Sequence, residues 1–105
     1  MIHELKTWPE PFDAVAAGVK RFEVRQDDRG FGTGDTLCLR RFDPERQVFT
    51  GEVVVVAVTY LARGPAWGLP AGLVVMSIRK LPTSKVRLKY RGENVRPNSG
   101  VKESA

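Results

Sequence analysis

Residues 2–6, Ile-His-Glu-Leu-Lys, intersperse apolar with polar positions and predict a first, half-buried strand, and the pattern changes at Thr7. Trp8-Pro9-Glu10-Pro11 follows. Prolines suit the first turn of a helix, where their missing N–H groups would have no partner anyway, and Glu10 and Asp13 complement the positive helix end. Phe12, Val15 and Ala16 stand at i, i+3 and i+4, predicting a short helix with one apolar face, and Gly18 is placed to end it in the left-handed conformation. The chain then re-enters as a strand over 20–26. Its period of two puts Phe22 and Val24 on one face and Arg21, Glu23 and Arg25 on the other, and one of these faces turns inward.

Turn-forming residues fill 27–35, and a third strand is predicted over 36–42, with a turn at Asp43-Pro44-Glu45-Arg46. Residues 52–61 form the next strand. Its Val53–Val58 core is apolar on both faces, which predicts a central position in the sheet. Gly64, Pro65, Gly68, Pro70 and Gly72 surround Trp67 in a loop, and 73–78 gives a fifth strand. In 85–91 Val86, Leu88 and Tyr90 alternate with four basic residues, reading as an edge strand with a charged outer surface or as a nucleic-acid strip; the polar sequence after Gly92 reads as disordered. The expectation is an α+β domain over 1–81, a strongly curved sheet or small β-barrel of about five to six strands with one short N-terminal helix, followed by a basic extension over 82–105.

Length and charge refine this picture. A chain of 105 residues supports one modest core. No apolar run reaches the roughly 18 residues of a membrane span, and the N-terminal residues lack the basic and apolar regions of a signal peptide, so a cytoplasmic protein without membrane association is expected. The single cysteine, Cys38, allows no intramolecular disulfide and reads as a small strand residue; with only His3 beside it, no zinc site and no cofactor are predicted. Residues 1–79 hold ten Lys/Arg and ten Asp/Glu, whereas 80–105 hold seven basic residues and two glutamates, so the whole net charge of +5 lies in the last quarter. A neutral body with a basic appendage gains encounter rate with polyanions through the appendage, or is merely solubilised by it.

Candidate chemistry gathers where the helix gives way to the second strand. Gly18-Val19-Lys20-Arg21-Phe22-Glu23-Val24-Arg25 is a G-x-K-x-x-E-x-R pattern. Lys20 and Arg25 can give charge-assisted hydrogen bonds to a phosphate or base edge, while Glu23 can accept from an exocyclic amine or orient Arg25. Arg21 and Arg29 extend the basic set, and Trp8, Phe31, Tyr60 and Trp67 are candidate stacking surfaces, each also explained as a core aromatic. Lys85, Arg87 and Lys89 would add contacts from the extension. The opposing possibility is an ion-pair network in which Glu23 bridges Arg21 and Arg25 and binds nothing. The glycines of 27–35 lack the strand–loop–helix setting of a phosphate-binding P-loop. Asp27, Asp28 and Asp35 are explained by turn and capping roles better than by a cation, and His3 by a structural hydrogen bond better than by catalysis.

His3-Glu4-Leu5-Lys6, Trp8, Phe12, the Gly18/Lys20/Phe22/Glu23/Arg25 pattern, Asp27-Asp28-Arg29, Phe31, Gly34-Asp35, Phe42-Asp43-Pro44, Thr50-Gly51, Tyr60 and Val75-Met76-Ser77-Ile78 together resemble a short ASCH-domain protein over residues 2 to about 80. ASCH domains resemble the PUA superfamily, and the resemblance implies a small β-barrel with a helix near its entrance, a cleft lined by the G-x-K-x-x-E-x-R segment, and binding of RNA or a nucleotide fragment. Some members are nucleoside amidohydrolases or have been proposed as ribonucleases. In the amidohydrolase-like members a Thr follows the Lys by three positions; here Glu23 stands there, removing a hydroxyl and adding a carboxylate partner for Lys20. If the chain is an enzyme, Lys20 and Glu23 are the candidate catalytic residues, with His3 a further acid or base for a ribonuclease. A protein-interaction module using the 85–91 strand is a third class.

Overall fold

The computed structural model describes residues 1–82. Five strands and one helix follow in the order β1 (Ile2–Thr7), α1 (Pro9–Ala16), β2 (Phe22–Gln26), β3 (Thr36–Asp43), β4 (Val48–Arg63) and β5 (Leu73–Lys80), with a 3₁₀ turn at Ala66–Gly68 between the last two. The strand expected over 85–91, with Lys85, Arg87 and Lys89, and the tail beyond it lie outside the described residues.

The five strands form one sheet in the order β1-β3-β4-β5-β2, so the valine-rich β4 is its middle strand, as its two-sided apolar sequence requires. β1 runs parallel to β3, and the other neighbours are antiparallel. Register shifts interrupt the β3–β4 ladder between Arg40 and Phe42 and the β4–β5 ladder between Val58 and Tyr60. Such irregularities increase local twist and bend the bulged strand. The result is a curled half-barrel with one short helix, a small barrel-like α+β domain. Its concave side holds Leu5, Leu37, Leu39, Val56, Val58, Val74, Met76 and Ile78, and Phe12 and Val15 of α1 close over them.

The edge strands β1 and β2 do not pair through their backbones. Instead, Arg25 of β2 donates from Nη2 to the carbonyl of Lys6 at 3.1 Å and to Thr7 Oγ1 at 3.2 Å, and Arg29 Nη1 reaches the carbonyl of Glu4 at 3.1 Å. Glu4 and Lys6 are two apart, so both carbonyls project from the same free edge of β1. Two guanidinium groups thus supply donors where a sixth strand would otherwise pair.

β2 is shorter than its sequence pattern predicts, beginning at Phe22. The amides of Val19 and Lys20 both bond back to the carbonyl of Ala14, and that of Gly18 to Val15, so 18–20 complete the helix exit before any strand begins. Gly18 takes φ +80°, the left-handed conformation this closure demands. Further along, Gly64 is fixed by close approach, since a Cβ there would lie 1.8 Å from the carbonyl oxygen of Pro70.

Candidate functional site

The helix exit and the end of β5 are brought together by the β2–β5 register. Phe22 faces Ser77, and the amide of Ile78 donates to the carbonyl of Arg21 at 3.0 Å, so the residues just before β2 lie beside the last residues of β5. Between them opens a groove of about 500 Å³ with a floor of Val15, Val56 and Ile78 and a rim that carries Lys20, Arg21, Arg79 and Lys80. No carboxylate residue lines it. In a cleft with low-dielectric walls and one sign of charge, field lines are focused and a small anion is concentrated.

Each rim cation is held differently. Lys20 Nζ donates to the Phe22 carbonyl at 2.6 Å, lies 3.0 Å from Glu23 Oε2, and sits 4.6 Å from the centroid of the Phe22 ring. Lys80 Nζ donates to the carbonyl of Ala16 at 2.6 Å, meeting the negative end of α1. Arg21 Nε donates to the Gly18 carbonyl at 3.2 Å. Arg79 is exposed and has no hydrogen-bond or ion-pair partner among the described residues.

Beneath the rim, the face of β2 that turns inward is the charged one. Glu23 is 0% exposed and Arg25 2%, whereas Phe22 is 43% exposed. Glu23 divides its carboxylate between Lys20 on one oxygen and Arg25 Nε, 3.2 Å away, on the other. Glu23 therefore bridges Lys20 and Arg25; Arg21, expected as one end of that bridge, bonds elsewhere because it precedes the strand and escapes its alternation. Burial lowers the Arg25 pKa from its ordinary value, opposed by the charge and hydrogen bond of Glu23, and the guanidinium remains a cation. Arg25 does not line the groove.

The remaining candidates are dispersed. Trp8 is the N-cap residue of α1, half-buried, and Arg29 clasps the β1 edge. Phe31 belongs to the core, where the ring of His3 meets it edge-on with centroids 4.8 Å apart. His3 Nε2 lies 2.8 Å from Asp35 Oδ2, and that hydrogen bond, aided by the amide of Gly32 against the effect of burial, holds the Asp35 carboxyl below the ordinary range. Asp27 is also lowered: burial pushes it up, but hydrogen bonds from Arg63 and the Phe31 amide outweigh that. Arg63 Nη2 also donates to the Phe31 carbonyl. Tyr60 and Trp67 are exposed, and Cys38 is buried in β3. Among the described residues no His/Cys/Asp/Glu group could hold a metal, and no helix is long and apolar enough to cross a membrane.

Arg79 and Lys80 are absent from the site expected of the sequence. The only signal for them was the pairing of 20–26 with 73–78, which would have set the basic pair after Ile78 against Lys20.

The chain is 43% identical over 58 residues to an "Uncharacterized 12.9 kDa protein in GpA 3'region" of Escherichia phage P2, a match that covers 55% of this chain and 51% of the phage protein. The chain thus spans about half the length of that relative. The family likeness runs much further: residues 2–78 match the family described as "Domain of unknown function (DUF3850)", and the chain belongs to it.

Proposed function

We propose that this is a cytoplasmic protein that binds RNA, or a nucleotide fragment of it, by holding phosphate in the groove between the exit of α1 and the end of β5, in a PUA-like barrel of the kind that ASCH domains have. The observation that carries this reading is the rim itself: Lys20, Arg21, Arg79 and Lys80 surround an apolar floor with no carboxylate among the lining residues. Guanidinium and ammonium groups together suit phosphate, the former by bidentate hydrogen bonding and the latter as a point charge. Val15, Val56 and Ile78 offer an apolar contact for a ribose or base edge. Arg25 and Glu23 then act from below, Glu23 holding Lys20 at the rim and Arg25 holding Glu23.

Binding is favoured over hydrolysis by the environment of Lys20. Its ammonium donates to a carbonyl and a carboxylate, a setting for a fixed cation and not for a nucleophile or base. His3, engaged with Asp35, is not among the groove's lining residues.

The test is an Arg21→Ala/Arg79→Ala variant titrated with a fluorescent RNA oligomer at several salt concentrations. Affinity should fall roughly tenfold or more at moderate salt, and the slope of log K against log salt should lessen by about 1.4, the value for two lost contacts with single strands. Both residues are on the surface, so the melting temperature should hardly move. Unchanged affinity and slope would remove the groove from any role in binding.

A further inference from the structure

The outer face of the sheet carries two aromatic rings beside the groove. Phe22 on β2 and Tyr60 on β4 both register with Ser77 on β5, so the three form one cross-strand row with the small serine between the rings. Phe22 is 43% exposed and Tyr60 69%. Tyr60 owes its outward direction to the register shift after Val58: Val58 and Leu61 pair with the inward Ile78 and Met76, and Thr59 is the extra residue that lets Tyr60 turn out between them. The bulge is pinned by Thr59 Oγ1, 2.7 Å from Ser77 Oγ and 3.2 Å from the Ser77 carbonyl. A bulge that re-aims one side chain is a positional feature of a sheet, and here it presents a ring. The next row, Val24, Val75 and Ala62, is apolar and only partly covered.

Charge joins this face to the groove. Lys20 lies over the Phe22 ring, and Arg79 is two residues beyond Ser77 on the same side of β5. No Asp or Glu occupies an outward position of β2 or β5. Resting on the groove reading above, we infer that the occupant is a single strand of RNA longer than one nucleotide, its phosphates along Lys20 and Arg79 and its bases stacked on Phe22 and Tyr60. Sheet faces that display aromatic rings next to cations accept splayed bases in this way, because each base offers a flat π surface whatever its identity. A free phosphate or mononucleotide would use the groove alone. Little sequence preference follows, since neither ring reads a hydrogen-bonding edge.

The experiment titrates the full chain with a labelled octauridylate and, separately, with inorganic tripolyphosphate. Tyr60→Ala and Phe22→Ala should each weaken the oligomer about tenfold, and Tyr60→Ala should leave tripolyphosphate affinity unchanged, since stacking and not charge is removed there. Tyr60→Phe should bind like the parent, and Tyr60→Leu, which keeps apolar bulk without a π face, should behave like Tyr60→Ala. If the alanine variants bind octauridylate as tightly as the parent while Arg21→Ala/Arg79→Ala loses it, the platform is overturned and the groove stands. If none of these variants changes binding, both fall. A parent chain that dimerises and becomes monomeric with Tyr60→Ala, oligomer affinity being unaltered, would assign the face to a second copy of the chain and likewise overturn the inference.

Discussion

Two groups of charge meet where β2 begins beside the end of β5, and their fates differ. Glu23 and Arg25 lie under the sheet's concave side, fully enclosed, with Glu23 accepting from two cations and Arg25 donating to Glu23, Lys6 and Thr7. Arg21, Arg79 and Lys80 stand at a groove rim with backbone carbonyls for partners or with none among the described residues. Lys20 belongs to both groups. A charge taken out of water must be paired or the cost is several kcal/mol, whereas a rim charge stays solvated and remains available. The G-x-K-x-x-E-x-R pattern is therefore two devices: its Glu and Arg tie β2 to the free edge of β1, and its Lys is held at the rim by them.

The most forceful way to break this contrast is Arg25→Ala. Removing one partner of a buried pair leaves Glu23 Oε1 without its donor and takes the guanidinium from the Lys6 carbonyl and Thr7, so stability should fall by about 3–5 kcal/mol. Against a total of about 5–15 kcal/mol for a small domain, that is a loss readily seen in urea denaturation. Glu23→Leu/Arg25→Met, which removes both charges and keeps bulk, should recover much of that loss. Because Glu23 also holds Lys20 at the rim, the recovered double variant should lose no more than the contact of Lys20, a slope change of about 0.7 against log salt, whereas complete loss of RNA binding would show that Arg25 serves the ligand directly.

The same contrast explains what was legible in the sequence. The run Val53–Val58 announced a middle strand, and Gly18 a helix end, because both signals are local. The alternation in β2 separated Phe22 and Val24 from Glu23 and Arg25 but carried no information on which set turned inward. That choice was made by the carbonyl of Lys6 and the hydroxyl of Thr7, far away in sequence. Arg79 and Lys80 became part of the site only through the β2–β5 register, a pairing across some fifty residues that composition does not encode. What pattern could reach was the element; what it could not reach was the side chain's partner.

Acid sharpens the contrast at a second place. Asp27 and Asp35 are enclosed to 16% side-chain exposure and, like Glu23, each serves more than one donor. Both carboxyls sit below their ordinary pKa in the folded protein. A depressed carboxyl contributes stability that is fully present above its unfolded pKa, near 3.8, and lost as pH falls through the folded value. Stability measured by denaturation should accordingly hold from neutral pH to about 5 and decline below about 4. Asp35→Asn should cost about 1 kcal/mol at pH 7 and flatten the decline, because the amide no longer gains or loses a proton. A decline of equal steepness in the Asp27→Asn/Asp35→Asn protein would show that these two carboxyls do not carry the acid response.

Lys80 gives the finest discrimination, since it stands on the rim yet has a structural bond. Its ammonium donates to Ala16 at the end of α1, where positive charge complements the helix dipole, so Lys80→Met should lower stability by a few tenths of a kcal/mol, reduced by its exposure to solvent. The methionine keeps most of the stem that flanks the groove floor. If the ammonium also meets phosphate, the log K against log salt slope for an RNA oligomer should fall by about 0.7 in the same variant, and Lys80→Arg should restore it. A slope that stays unchanged while stability drops would move Lys80 from the rim group to the structural one, leaving three cations to hold the phosphate.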